Sequence, residues 1–292
     1  MNRFRAPPVS HTQKPVVPEH SRENPMNQPR TVVRWSLIAL IAVLAVSLTF
    51  VLVAMNDDST AEAKPPAAVP PAKTGAAAAP APAALKGVGW WPAHERNGNT
   101  AADHAGPHPA QLRPGAGWTD SPFGGALLLN GSAGFADTGA PVLDTAATDY
   151  SVAARVRLDA DGFRTAVSLD GRQASVFFLQ YVPDYRRFSF SFVNARAIAN
   201  RVPAPNFGSW YHLVGTYTHA DHKLRIFVNG VPAGEVLADN PERPAGNLVI
   251  GRGRFQGKAT DFWPGAISDV HAFRRALTPA EAAALAKQEP VA

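Results

Sequence analysis

The sequence predicts an all-β fold, an antiparallel two-sheet sandwich closed by one short C-terminal helix and preceded by a single transmembrane helix and an unpacked linker. Three observations carry this prediction. Apolar and polar residues alternate with period two in short runs from Gly87 onward. A marked helix start occurs once, near the C-terminus, at Thr278. A run of 21 residues from Trp35 to Met55 carries no charge.

Taken in order, the chain opens with a basic tail. Of 28 basic and 23 acidic residues, six and two lie in residues 1–34, a local net of +4. After residue 55 the balance is 22 basic against 21 acidic, a net of +1. The formal charge of +5 is thus mostly a property of the tail, and no nucleic-acid partner is expected for the rest. The chain has no cysteine, which excludes disulfides and thiolate chemistry.

WSLIALIAVLAVSLTFVLVAM, Trp35 to Met55, matches the roughly 20 apolar residues that span a bilayer core as a helix. Arg30 and Arg34 precede it and Asp57 and Asp58 follow, so the positive-inside rule places residues 1–34 in the cytoplasm and the remainder outside. The alternative is secretion after cleavage near Ala61-Glu62-Ala63, but the apolar run exceeds the usual ~7–15 residues of a signal peptide. Residues 56–86 are dominated by Ala and Pro and offer little to bury, so they are expected to stay unpacked. At ~3.1 Å per residue, such a spacer reaches on the order of 90 Å from the membrane when extended.

Residues 87–290 form the expected folded domain. In YSVAARVRL, Tyr150, Val152, Ala154, Val156 and Leu158 share one face, with Arg155 and Arg157 on the other. Phe188, Phe190 and Phe192 alternate with serines, and Tyr211, Leu213 and Tyr217 share a face, as do Leu224, Ile226 and Val228. Asn229-Gly230 is a strong hairpin signal because a type I′ turn needs positive φ at both central residues. Trp90, Trp91 and Trp210 are assigned to packing. Thr278-Pro279-Ala280-Glu281 is a capping box that opens the terminal helix. In the strand before it, Ile267 is out of phase with Val270 and Ala272, so a one-residue bulge near Ser268-Asp269 is expected.

The ordered series GWWPAHERNGNTAADHAG, GGALLLNGSAGFADTG, DYSVAARVRLD, WYHLVGTYTHADHKLRIFVNG, LVIGRG and FWPGAISDVHAFRRALTPAE resembles the laminin-G-like jelly rolls of the concanavalin A-like lectin/glucanase superfamily. The resemblance covers about Val88 to Ala286 and implies a jelly-roll sandwich that binds carbohydrate or a cell-surface protein. It also implies a structural calcium near the first and last strands, with Asp103 and Asp269 as the matching ligands and Asn99 or backbone carbonyls as helpers. The bland alternative is that Asp103 caps a turn and Asp269 pins the bulge.

Some members of this superfamily are glucanases, and retaining hydrolysis needs two carboxylates ~5 Å apart. No E-x-D-x-x-E-type run occurs, and the glutamates beyond the membrane segment (Glu62, Glu95, Glu235, Glu242, Glu281 and Glu289) are scattered among linker, turns, cap and tail. The chain is therefore expected to be a non-enzymatic binding module, with a glycoside hydrolase as the alternative. No catalytic residue is assigned. Sugar binding calls for exposed aromatic faces with polar anchors, for which Trp118, Tyr181, Tyr185 and Trp263, with Arg186 and Asn194, are the candidates. The pairs His104/His108 and His219/His222 lack an evident third metal ligand and are expected to be solvated loop histidines.

Overall fold

The computed structural model describes residues 85–239 and 243–287. The segments expected to form the cytoplasmic tail and the transmembrane helix, and nearly all of the expected linker, lie outside the described residues. Among those described, no helix is long and apolar enough to cross a membrane.

Strands are numbered in chain order. Sheet A holds β1 (Gly89–Trp91), β4 (Ala116–Thr119), β5 (Ala126–Asn130), β7 (Tyr150–Leu158), β12 (Trp210–Thr218), β13 (Lys223–Val228), β14 (Val231–Leu237) and β18 (Pro264–Phe273). Sheet B holds β2 (Thr100–Ala101), β3 (Ala110–Leu112), β6 (Ala136–Asp137), β8 (Arg164–Asp170), β9 (Ser175–Val182), β10 (Arg187–Ser191), β11 (Arg196–Ile198) and β15 (Leu248–Ile250). A separate hairpin pairs β16 (Gly253–Phe255) with β17 (Lys258–Thr260), and α1 spans Pro279–Ala286. Sheet A runs β14-β13-β12-β7-β18-β5-β4 with β1 beside β18, and sheet B runs β11-β10-β9-β8-β15-β6-β3-β2. The non-consecutive neighbours make this an antiparallel jelly-roll sandwich, the architecture expected from the alternating runs.

The two inner faces meet in one aromatic core. Tyr150 packs against Phe177 at 5.5 Å and Tyr217 at 5.8 Å, and Phe177 packs on Phe190 at 5.5 Å between ring centroids. Tyr150, Phe190 and Tyr217 occupy the expected inward positions of β7, β10 and β12, and Phe177 the inward face of β9, because a two-residue side-chain period puts alternate residues on the buried face. Asn229 and Gly230 have φ of 50° and 77°, as a type I′ hairpin requires. Thr278 and Glu281 form the expected reciprocal capping box, and Pro279 stands at N1.

Less expected is that the outer faces are buried too. On sheet A, Ala153, Val214, Phe227 and Phe273 form a second apolar cluster with Leu277, Ala282 and Leu285 from the α1 region. On sheet B, the β16–β17 hairpin lies over β8 and β9. It is held by the buried Arg252–Asp170 pair, with Nη1 and Nη2 donating to the two carboxylate oxygens at 2.6 and 2.8 Å. Arg254 N–H donates to Ser175 Oγ at 2.9 Å, and Ser168 Oγ donates to Arg252 O at 2.8 Å.

The bulge in β18 falls at Ser268–Asp269. Ser268 pairs with Arg155 and His271 with Ala153, so three steps along β18 oppose two along β7. The extra residue lets Ile267, Val270 and Ala272 all reach the core. Asp269 absorbs it with φ of 52°, a left-handed conformation that Asp tolerates better than bulky residues do.

Gly215 of β12 lies under the Phe190 ring, where a Cβ would come within 2.3 Å of Cδ2. Gly215→Ala is expected to displace this ring and to destabilise the fold by about 1–3 kcal/mol, measured by denaturant unfolding. An unchanged midpoint would show that the ring can yield.

Candidate functional site

The residues expected to hold calcium come together around Trp90. Asp103 Oδ1 accepts from the backbone N–H groups of Trp90, Ala105 and Gly106 at 2.9–3.0 Å, and Oδ2 accepts from His108 N–H at 3.2 Å. Asp269 Oδ1 is 2.9 Å from both Trp90 Nε1 and His271 Nε2, while Oδ2 faces Arg155 Nε at 3.5 Å. The Asn99 carbonyl oxygen accepts from Leu112 N–H. A calcium ion needs six to eight oxygens turned towards it, whereas both carboxylates here are turned towards N–H donors. This donor set does not fit calcium, which corrects the expectation for Asn99, Asp103 and Asp269. Asp103 caps a turn and Asp269 pins a bulge.

The pair Arg155–Asp269 is buried on the outer face of sheet A. Burial pushes the Asp269 carboxyl up. His271, through hydrogen bond and charge, outweighs this together with the Trp90 indole and Arg155, and the group is held well below the ordinary carboxylate range. The Arg155 guanidinium lies 4.1 Å from the centroid of the Phe123 ring, and its Nη2 donates to Leu285 O at the end of α1. His212, directly across from Arg155 in β12, is fully buried, and neither ring nitrogen has a hydrogen-bond partner among the described residues. Burial, then the neighbouring Arg155 charge, push its pKa down to about 3.

A groove of about 240 Å³ lies on the outer face of sheet B between the β16–β17 hairpin and the β9–β11 strands. Phe163, Phe178, Phe192 and Phe255 supply aromatic walls, and Gln180, Arg196, Thr260 and Asp261 supply polar groups. Phe163 and Phe255 are 37% and 48% exposed, and Val193 beside them is 52% exposed, so apolar surface stays open to solvent here. Asp261 has φ of 54°, its Oδ1 accepts from Thr260 Oγ1 at 3.0 Å, and its backbone oxygen accepts from Thr165 N–H at 2.8 Å. Burial pushes its carboxyl up against the opposing pull of Thr260, Arg164 and Arg196. Ring faces beside a few convergent hydrogen-bonding groups suit a ligand with alternating apolar and hydroxylated surfaces.

None of the six residues expected to bind ligand lines this groove; Asn194 follows Val193, which does, in the β10–β11 turn. Tyr181 and Trp263 are corrected: they are 1% and 0% exposed, packed into the core by their inward register. Trp263 spends its indole N–H on Arg157 O at 3.0 Å. Tyr185 and Arg186 form the exposed β9–β10 turn, and Trp118 sits on β4 of the other sheet with its indole N–H donating to Gly98 O. The sequence held one signal for the groove. SVFFLQYV is apolar on both parities, which marks a strand covered on both faces.

The laminin G (type 3) sequence model, described as concanavalin A-like lectin/glucanases superfamily, matches residues 130–283, more than half of the 292-residue chain. The chain belongs to this superfamily. Domain 4 of AbnA, a GH43 extracellular arabinanase from Geobacillus stearothermophilus in complex with arabinotriose, superposes with TM-score 0.53 at 14% identity, over 68% of this chain and 98% of that domain. Trypanosoma rangeli sialidase bound to 2,3-difluoro-KDN gives TM-score 0.52 at 20% identity over 69% of this chain. The sialidase bound to 2,3-difluorosialic acid gives 0.52 at 20% identity over 75%. The concanavalin A-like chain spans about a third of those sialidase chains, 32% and 35%. No curated protein sequence matches it. At these identities the likeness is one of fold. It nevertheless corrects the expectation that the chain is not an enzyme, because the fold it shares occurs in chains named as a sialidase and an arabinanase. A missing carboxylate run in one strand does not decide catalysis, since active groups converge from separate strands.

Two stability outcomes follow from the buried cluster. Asp269→Asn deprives Arg155 of its carboxylate and is expected to cost about 3–5 kcal/mol, read as a Tm fall of roughly 2–4 °C per kcal/mol. An unchanged Tm would contradict the pairing. Unfolded His212 takes up a proton near pH 6.5 and folded His212 only near 3. Its contribution is therefore complete above pH 6.5 and declines by about 1.4 kcal/mol per pH unit below it. Asp269 and Glu281, whose carboxyls are held below the ordinary range, add acid sensitivity as the pH falls through that range, so unfolding measured between about pH 7 and 5.5 is dominated by the histidine, and His212→Leu is expected to flatten that slope.

Proposed function

We propose that this domain binds carbohydrate in the groove between the β16–β17 hairpin and β9–β11, on the outside of a membrane to which Trp35–Met55 anchors it. The observation that carries the reading is the partly exposed ring pair Phe163 and Phe255 beside Gln180, Arg196, Thr260 and Asp261. Sugar rings present apolar faces and peripheral hydroxyls, and such a groove offers stacking surface and hydrogen bonds to both. The AbnA domain, with which this fold is shared along nearly that domain's whole length, is named in complex with arabinotriose, which supports the same class of ligand here. The Ala/Pro-rich segment then acts as a spacer that carries the domain away from the bilayer.

A second reading, glycan hydrolysis, is favoured by Asp261. A carboxyl raised by burial keeps its proton to higher pH, which is the property of a general acid.

A glycan array probed with the whole chain, read both for binding and for release of reducing ends, tests the two readings. Phe163→Ala and Phe255→Ala are each expected to weaken binding of the captured glycan about tenfold, about 1.4 kcal/mol, while leaving the fold intact because both rings are solvent-exposed. Turnover lost in Asp261→Asn with binding retained supports hydrolysis. An array without hits, beside capture of a cell-surface protein, overturns the carbohydrate reading.

A further inference from the structure

Loops from both sheets enclose a larger cleft, about 1120 Å³, that shares no lining residue with the groove. The β8–β9 loop contributes Arg172 and Gln173, the β12–β13 loop His219 and His222, and the β14–β15 loop Asp239 and Arg243, with Tyr217 also lining it. The acids and histidines are matched to one another. Asp149 Oδ1 accepts from His219 N–H at 2.8 Å and lies 3.1 Å from its Nδ1, and Asp239 lies 3.5 Å from His222 Nδ1. His219 is thus no solvated loop histidine, a departure from the sequence-based expectation.

Two features of the cleft have no counterpart among the described residues. Arg172 and Arg243 are exposed, and neither forms an ion pair with a described residue. Tyr217 Oη and His219 Nε2, whose rings meet at 4.9 Å between centroids, are both buried without a hydrogen-bond partner among the described residues. Buried polar atoms are seldom left unpaired, and two neighbours so left at the wall of one cleft mark a place where an added molecule completes the bonding. Burial, then Asp239, Asp149 and Asp221, push the Tyr217 hydroxyl up, so it stays a donor at neutral pH. A smaller cleft of about 510 Å³ shares Arg243 and adds Arg274, with Asp144 and His108 also on its wall.

We propose that this cleft is a second ligand site, taking a hydroxylated ligand that carries a compact oxyanion, a carboxylate or a phosphate. Arg172 and Arg243 hold the anion, and Tyr217 Oη and His219 Nε2 take hydroxyl groups. Guanidinium forks suit the paired oxygens of either anion. The proposal stands apart from the groove and does not depend on sugar binding there.

Titration calorimetry of the whole chain with glucuronic acid, glucose 6-phosphate, glucose and inorganic phosphate tests it. At least one anionic sugar is expected to bind at least tenfold more tightly than glucose and more tightly than inorganic phosphate, and the better of the two names the anion. The double substitution Arg172→Ala, Arg243→Ala is expected to remove that preference, and raised salt to weaken it. Tyr217→Phe, which keeps the ring, is expected to weaken the anionic sugar several-fold and leave inorganic phosphate unchanged. Phe255→Ala in the groove is expected to leave the preference for the anionic sugar over glucose unchanged. Glucose binding as tightly as its anionic counterparts, an undiminished double variant, or inorganic phosphate matching the sugar phosphate overturns the proposal.

Discussion

The structure of sheet A depends on how β18 changes partners at Asp269. Residues Pro264–Ile267 pair with β5, and Val270–Ala272 pair with β1. The bulge occupies the handover, where the backbone would otherwise lack a neighbour. Ser268 Oγ lies within hydrogen-bonding distance of both Pro92 O and Gly125 O, and Asp269 N–H donates to Pro92 O. The Asp269 side chain then ties in the incoming strand through the Trp90 indole, and Trp90 stacks on His271 with rings 5.6 Å apart and nearly parallel. One residue thus links the first strand, the last strand and, through Arg155, the terminal helix. The arrangement is costly to break because a buried cation that loses its carboxylate keeps its desolvation penalty and loses the compensating attraction.

Both sheets are covered on their outer faces, by different means. Sheet A is sealed by α1 with aliphatic contacts and the Arg155–Leu285 hydrogen bond. Sheet B is covered only in part, by the β16–β17 hairpin pinned through Arg252 and Asp170. The partial cover creates the groove. At its rim Phe163, just before β8, and Phe255 of the hairpin stay partly exposed over the buried Phe178, and Asp261 at the foot of the hairpin is held in a left-handed conformation. A buried ion pair serves here as a fastener for a wall, which explains its place beside a concave surface.

The groove and the larger cleft differ in chemistry as well as position. The groove is aromatic with a few polar groups, the pattern of stacking recognition. The cleft is polar, with guanidinium groups and two buried atoms unpaired among the described residues, the pattern of charge-assisted recognition. Membership of the concanavalin A-like superfamily accounts for the sandwich on which both are built, but a shared fold does not choose between binding and hydrolysis. That choice rests on individual groups, above all Asp261.

The sandwich, the Asn229-Gly230 hairpin, the Thr278 cap and the β18 bulge were all legible in the sequence. Each depends on neighbours one to four positions apart, through the two-residue strand period, the positive φ of a type I′ turn or the reach of a capping side chain. The sites were not legible in this way. Tyr181 and Trp263 looked like free aromatic faces and are core, because register alone decides which side of a sheet a ring occupies. Asp103 and Asp269 looked like calcium ligands and are N–H acceptors, because Trp90 and Arg155 arrive from other strands to face them. The groove residues span Phe163 to Asp261 and the cleft residues Ala146 to Ala245, so only chain crossings between the sheets bring them together. Local periodicity determined the strands and their ends; long-range pairing decided which side chains meet, because the contacts that build a site are set by sheet order and not by spacing along the chain.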